Sequence, residues 1–242
     1  MNKNYIKHEY DNYKTSWTRN EFFDENGYLI IKNICDPKIL FDDIPKERGQ
    51  LYYRGKSLDD YEHIATESQV NGSVSRYSHP KYREIHNKIR FILEQLIGRK
   101  LYNTYYFDRF YFPGQELKKH TDRPACEISI SVHISTNLKE QWPFWIKTPD
   151  TFSDQSKSEL ISIGKDVPIN IESGDGIIYK GCERPHWRNP MPGLLESSLR
   201  NAKGESNFLL YYHQIFFHYV LQDGIRAHPV SYTHLTLPTK NE

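Results

Sequence analysis

The chain has 242 residues, 37% of them hydrophobic and 14% aromatic, with a formal net charge of +1. That length suits one domain with a sizeable core, and the near-neutral balance argues against a global field that steers the protein to nucleic acid or an anionic membrane. No apolar run approaches the ~18 residues of a bilayer span.

Residues 1–14 are polar and the start carries no signal-peptide apolar core. Thr18-Arg19-Asn20-Glu21 fits a capping box, opening a short helix that Gly27 stops. Tyr28 to Ile34 reads as a buried strand ended by Asp36-Pro37. Residues 38–78 are mixed and charged, and are expected to form a short helix or turn and then a long, lid-like loop. Ser78-His79-Pro80 opens the clearest helix, with Ser78 as N-cap; Tyr82, Ile85, Ile89, Ile92, Leu93, Leu96 and Ile97 follow helical spacing up to Gly98.

From Leu101 onward the pattern turns to strands. Leu101 to Phe112 is one, ended by Pro113-Gly114. In the next, Ile128, Ile130, Val132 and Ile134 alternate with Ser129, Ser131, His133 and Ser135, so one face meets apolar core and the other water or a polar cavity. Trp142–Ile146, Val167–Ile171, Ile177–Lys180, a strand from His186 and Phe208–Val220 follow. Short strands joined by turns favour an antiparallel sandwich or barrel. Cys35, Cys126 and Cys182 form no CxxC pair and read as buried, reduced thiols of a cytoplasmic protein. His8, His63, His79 and His86 read as surface residues, and His133, His213 and His218 as core or wall histidines. The expected organisation is a single domain over 1–228. Within the remainder, Ser231 to Lys240 resembles the translation of a sequencing adapter, so 229–242 is set aside as a non-native or disordered tail.

The stretch with chemical content runs from Tyr111 to Asp122. An imidazole and a carboxylate two residues apart point to the same side of an extended segment, and of the eleven histidines only His120 has an acidic residue at i+2. Two imidazoles and one carboxylate on one octahedral face suit Fe(II) and leave positions open for substrates. A third ligand must come from a distant strand. His186 is the candidate, because Gly174 to Gly181 reads as a turn, strand and turn leading back across a sandwich.

In this pattern the chain resembles the Fe(II)- and 2-oxoglutarate-dependent oxygenases, where His-x-Asp is followed after roughly 50–70 residues by His. Here Asp122 and His186 are 64 apart. Tyr111-x-x-Gly114 before His120-x-Asp122 is similar to the prolyl 4-hydroxylase branch, and Phe23 to Ile31 to the entry strand of the phytanoyl-type branch. The resemblance covers about residues 20–225. It implies a mainly β fold with flanking helices around a double-stranded β-helix (jelly-roll, cupin-like) core. It implies His120, Asp122 and His186 as iron ligands, 2-oxoglutarate as co-substrate, and hydroxylation of a small-molecule or peptidyl substrate, with no membrane partner.

One feature departs from the family. The Arg or Lys about ten residues beyond the distal His, which holds the far carboxylate of 2-oxoglutarate, is missing. Arg200 stands 14 beyond, and the last strand offers Tyr212, His213 and Gln214. Arg188, on the strand face of His186, is taken as the anchor, with Tyr111 as a hydrogen-bond donor and His133 and His213 in reserve. A cupin-like metal-dependent isomerase and a metal-free jelly-roll binding module are the alternatives.

Overall fold

The computed structural model describes residues 18–148, 164–193 and 210–227. Its order begins with helix α1 (Glu21–Asn26), strand β1 (Tyr28–Ile31), helix α2 (Pro37–Leu40), then strands β2 (Gly49–Tyr53), β3 (Tyr61–Ile64) and β4 (Val74–Tyr77). Asn20, rather than Thr18, caps α1: its side-chain oxygen accepts the Phe23 N–H at 3.0 Å. Gly27, at φ +76°, closes the helix as expected.

The region read as a long loop therefore holds three strands. β2 and β4 pair in parallel, and β4 pairs with β5 (Leu101–Tyr111). Such pairing is non-local, so a window of sequence rich in Ser and Asp does not reveal it. A buried charge cluster holds the extension in place. Arg76 on β4 grips the fully buried Asp108 on β5, which also takes the hydroxyl of Tyr82 at 3.1 Å and Nε2 of His213 at 2.7 Å.

Helix α3 (Arg83–Ile97) follows a 3-10 turn at Pro80–Tyr82. Ser78 does not cap it, since it lies at φ +58° and His79 precedes the turn. Ile85, Ile89, Leu93 and Ile97 recur every four residues and are buried.

Eight strands then make the core: β5, β6 (Leu117–His120), β7 (Ile128–Thr136), β8 (Phe144–Thr148), β9 (Lys165–Ile169), β10 (Gly176–Tyr179), β11 (His186–Arg188) and β12 (Tyr212–Leu221). The large sheet has the order β1-β10-β7-β12-β5-β4-β2-β3 and the small sheet β6-β11-β8-β9. Within β5–β12 the chain crosses repeatedly between sheets, with β5, β7, β10 and β12 in one and β6, β8, β9 and β11 in the other. That winding is a double-stranded β-helix, mainly β with flanking helices.

The alternation in β7 has the consequence its pattern foretold. Ile128, Ile130, Val132 and Ile134 join α3 in the main apolar cluster behind the large sheet. Ser129, Ser131 and His133 point the other way, into a polar interior between the sheets.

Two histidines expected at the surface are buried. His86 is 4% exposed among the rings of Tyr106, Phe217 and Tyr219, and its Nε2 meets the His218 carbonyl at 3.1 Å. His79 is 1% exposed between Tyr53 and Tyr82. Charged periodicity around them hid the wide apolar contact that each ring makes.

Burial holds His86 down at about 3, and burial followed by the charge of Arg76 holds His79 down at about 4. Burial also lowers His133 to about 4. Each folded-state value lies below the unfolded one, so the unfolded chain binds more protons between about pH 4 and 6.5, and the stabilisation present above that window is lost as pH falls through it. Chemical denaturation of the metal-free protein should therefore show stability falling by at least about 2 kcal/mol from pH 7.5 to pH 5. An unchanged denaturation midpoint would show that these rings are solvated.

Candidate functional site

His120 ends β6, and His186 begins β11 directly opposite it in the antiparallel register. The next register pair, Arg188 with Leu117, is shifted by a bulge, so the local twist tightens beside the two rings. Asp122 lies just past β6. Its backbone N–H donates to the Gly181 carbonyl at 2.8 Å, which ties it to the turn between β10 and β11. Residues 64 apart in sequence are thereby brought into one small volume. The ring centroids of His120 and His186 are 4.4 Å apart, and each Nε2 lies 3.6 Å from Oδ1 of Asp122.

The outer nitrogens are fixed. Nδ1 of His120 meets the Lys118 carbonyl at 2.7 Å, and Nδ1 of His186 meets the Arg184 carbonyl at 2.9 Å. A carbonyl only accepts, so Nδ1 carries the proton in both rings and Nε2 presents a lone pair. Burial alone would raise the Asp122 carboxyl. The electrostatic pull of the adjacent His186 side chain, with that of His120, outweighs it and holds the group well below the ordinary carboxylate range. Two imidazole lone pairs and an ionised carboxylate converging within one 4.8 Å group could hold a divalent metal, with outer-nitrogen contacts of the kind that orient metal-bound histidines.

A second layer fixes Asp122. The Ser129 hydroxyl donates to Asp122 Oδ2 at 3.2 Å and accepts from Nδ1 of His218 at 2.8 Å, which leaves Oδ1 facing the imidazoles. Asp122, Cys126 and His218 form another group of potential donors. Burial, then the charge of Asp122, pushes the Cys126 thiol far up, and burial holds His218 down at about 4. The thiol is therefore protonated in the metal-free protein, and the group is a poorer donor set than the first.

The three-residue cluster opens into a cavity of about 740 Å³ whose other walls include Tyr52, Glu67, Gln69, Tyr77, Arg109 and Phe216. Tyr111 and Arg188 do not line it. They lie behind its wall, joined through Gln214: Arg188 Nη2 donates to Gln214 Oε1 at 3.0 Å, and Gln214 Nε2 donates to the Tyr111 hydroxyl at 3.5 Å. Arg188 is 1% exposed, its guanidinium sits among Trp142, Phe144 and Tyr212, and its Nε has no hydrogen-bond partner. Among the described residues it pairs with no carboxylate.

Of the reserve histidines, His133 faces the interior and stacks on Tyr212 at 4.3 Å, whereas His213 is turned to the opposite face of the large sheet, on Asp108. Arg200, His8 and the segment 229–242 lie outside the described residues. Glu67, Gln69, Arg109, Ser129 and Gly181 escaped the sequence reading. Arg109 did leave a signal, as a cation alternating with Tyr105, Phe107 and Tyr111 in an otherwise aromatic strand face. Gln69 left none.

No protein-family model and no curated protein matches the chain. Solved structures similar to it include a Pseudomonas putida prolyl-4-hydroxylase, at 11% identity over 82% of this chain and 95% of that one, with a TM-score of 0.48. They also include SnoN, a non-heme alpha-ketoglutarate-dependent epimerase from nogalamycin biosynthesis, at 11% identity, 81% and 78% coverage and a TM-score of 0.49. SnoK, a carbocyclase of the same dependence and biosynthesis, gives 13% identity, 91% and 92% coverage and a TM-score of 0.48. The strand order defines the class: a double-stranded β-helix with a two-histidine, one-carboxylate cluster at the edge of its small sheet.

Gly181 makes a direct test of this geometry. A Cβ there would come within 2.3 Å of Asp122 Oδ2 and of the Cys126 carbonyl. Gly181→Ala should displace the carboxylate and weaken divalent-metal binding about tenfold or more, with the β circular-dichroism signature retained. Wild-type affinity measured by calorimetry would mean that Asp122 does not contribute.

Proposed function

We propose that the protein is an Fe(II)- and 2-oxoglutarate-dependent dioxygenase, most simply a hydroxylase, with His120, Asp122 and His186 as the metal ligands. The observation that carries this reading is the facing of two Nε2 lone pairs and one ionised oxygen across the β6–β11 pairing. Iron(II) with 2-oxoglutarate supplies, when bound, the reaction R–H + 2-oxoglutarate + O2 → R–OH + succinate + CO2.

The chain's own part is placement. The Lys118 and Arg184 carbonyls hold both imidazoles in the metal-facing tautomer, and Ser129 turns Asp122 so that one oxygen is free. The far carboxylate of the co-substrate needs a buried cation, and we assign that role to Arg188. A buried guanidinium without a counter-ion is costly, and an incoming carboxylate relieves that cost. Arg188 stands two residues along β11 from His186, about 7 Å of strand, and the Tyr212 hydroxyl lies 3.4 Å from its Nη2. Tyr111 shares Gln214 with it and offers a further hydroxyl. Arg109, which does line the cavity, has a counter-ion in Glu67 at 3.2 Å, whereas Arg188 has none among the described residues. Trp142 and Phe144 pack around Arg188 and Tyr111 and keep that end of the barrel interior dry.

His120→Ala and Asp122→Ala should each abolish iron binding and 2-oxoglutarate-dependent succinate release while the fold survives. Normal succinate release from either variant removes the ligand assignment. Arg188→Ala should raise the KM for 2-oxoglutarate about tenfold or more, and an unchanged KM moves the anchor elsewhere. Iron binding without any succinate formation would favour a cupin-like isomerase, and failure to bind metal a binding module.

A further inference from the structure

The cavity beside the metal cluster has a second charged wall. Arg109 on β5 and Glu67, from the segment joining β3 to β4, both line it, and both side chains are 1% exposed. Nη2 of Arg109 lies 3.2 Å from Oε1 of Glu67, at ion-pair distance but without hydrogen-bond geometry, and Oε2 of Glu67 has no hydrogen-bond partner. The rest of each group is well held. Arg109 Nε donates to Ser75 at 2.9 Å, its Nη1 to Gln69 Oε1 at 2.9 Å, and the Gln69 backbone N–H donates to Glu67 Oε1 at 3.0 Å. One donor and one acceptor of opposite charge are thus left over, side by side, in a space shared with the three ligands. Gln69 links the two places, for its Nε2 lies 3.2 Å from Nε2 of His120.

We propose that Arg109 and Glu67 form the recognition site for a free α-amino acid, the substrate to be oxidised: Nη2 of Arg109 takes its carboxylate and Oε2 of Glu67 its ammonium. This deepens the oxygenase reading above and rests on it for the reaction, but not for the binding. An α-amino acid carries both charges on one carbon, so it inserts into an existing pair and gives each partner a charge-assisted hydrogen bond. A lone anion or cation would satisfy one partner and strand the other, and a neutral internal stretch of peptide would satisfy neither. The apolar part of the substrate has a surface of its own. Tyr52, Tyr77, Phe107 and Phe216 stand as a row of near-parallel rings at 4.6–4.9 Å spacing along β2, β4, β5 and β12, and the row flanks the charged pair. A metal held by Nε2 of His120 would compete with Gln69 for that lone pair, and so would couple the centre to the amino-acid site through Gln69.

The test is calorimetry on the full chain, loaded anaerobically with Fe(II) and 2-oxoglutarate, against each proteinogenic L-amino acid and its N-acetyl and C-amide derivatives, with succinate release measured in parallel on admitting oxygen. At least one free amino acid should bind saturably and stimulate succinate release, and its blocked derivatives should bind about tenfold more weakly or worse. Glu67→Gln should weaken binding of the free amino acid and leave that of its N-acetyl derivative unchanged. Arg109→Lys, which keeps the charge if a larger truncation fails to fold, should weaken the free amino acid far more than it raises the 2-oxoglutarate requirement, which it reaches only through the 3.3 Å contact of Arg109 Nη1 with the Tyr111 hydroxyl. The proposal is overturned if no free amino acid binds protein that has taken up metal and 2-oxoglutarate, if the blocked forms bind equally well, or if Arg109→Lys costs 2-oxoglutarate affinity instead. Titration of the metal-free protein separates the two readings: amino-acid binding in a protein that takes neither iron nor 2-oxoglutarate supports the recognition site and overturns the oxygenase.

Discussion

The site depends on one backbone hydrogen bond, from the N–H of Asp122 to the carbonyl of Gly181. It fastens the end of β6 to the turn between β10 and β11, and so decides which residues of β11 face the carboxylate. Gly181 is the residue that permits it, since its missing side chain leaves the space that the Asp122 carboxylate occupies. With that contact made, His120 and His186 fall opposite each other by register alone. The metal-facing geometry is then a property of the sheet, held by main-chain atoms, rather than of three mobile side chains.

Buried charges lie on both faces of the large sheet. On the outer face of the large sheet Arg76 and Nε2 of His213 both bind Asp108, which holds the β2–β4 extension against β5. Arg109 and Glu67 pair incompletely at the cavity wall. Arg188 has neutral partners only, among the described residues. Buried charges left short of partners are the expected mark of places kept for ligands, because desolvating them without one costs more than a fold gains.

Sequence periodicity exposed the alternating β7 and the stripe of α3, because one face of each buries apolar groups at a fixed period. The facing of His120, Asp122 and His186 was also within reach, since the i, i+2 pair and a returning strand are local features. What stayed hidden was non-local. β2 to β4 pair across turns with no hairpin signal, and the parallel β2–β4 partnership leaves no mark in either strand. Glu67 and Gln69 owe their positions to that extension and could not be placed without it. His79 and His86 were misjudged for a related reason: a histidine ring among tyrosines and phenylalanines is packed as an aromatic, while its neighbours in sequence look solvated.

The central claim is that one metal ion sits among Nε2 of His120, Oδ1 of Asp122 and Nε2 of His186. Anomalous diffraction at the iron edge, from crystals loaded anaerobically with Fe(II), tests it most directly. The account predicts a single peak within coordinating distance of those three atoms. A peak between Cys126 and His218, or a well-ordered triad with no peak beside it, would contradict it.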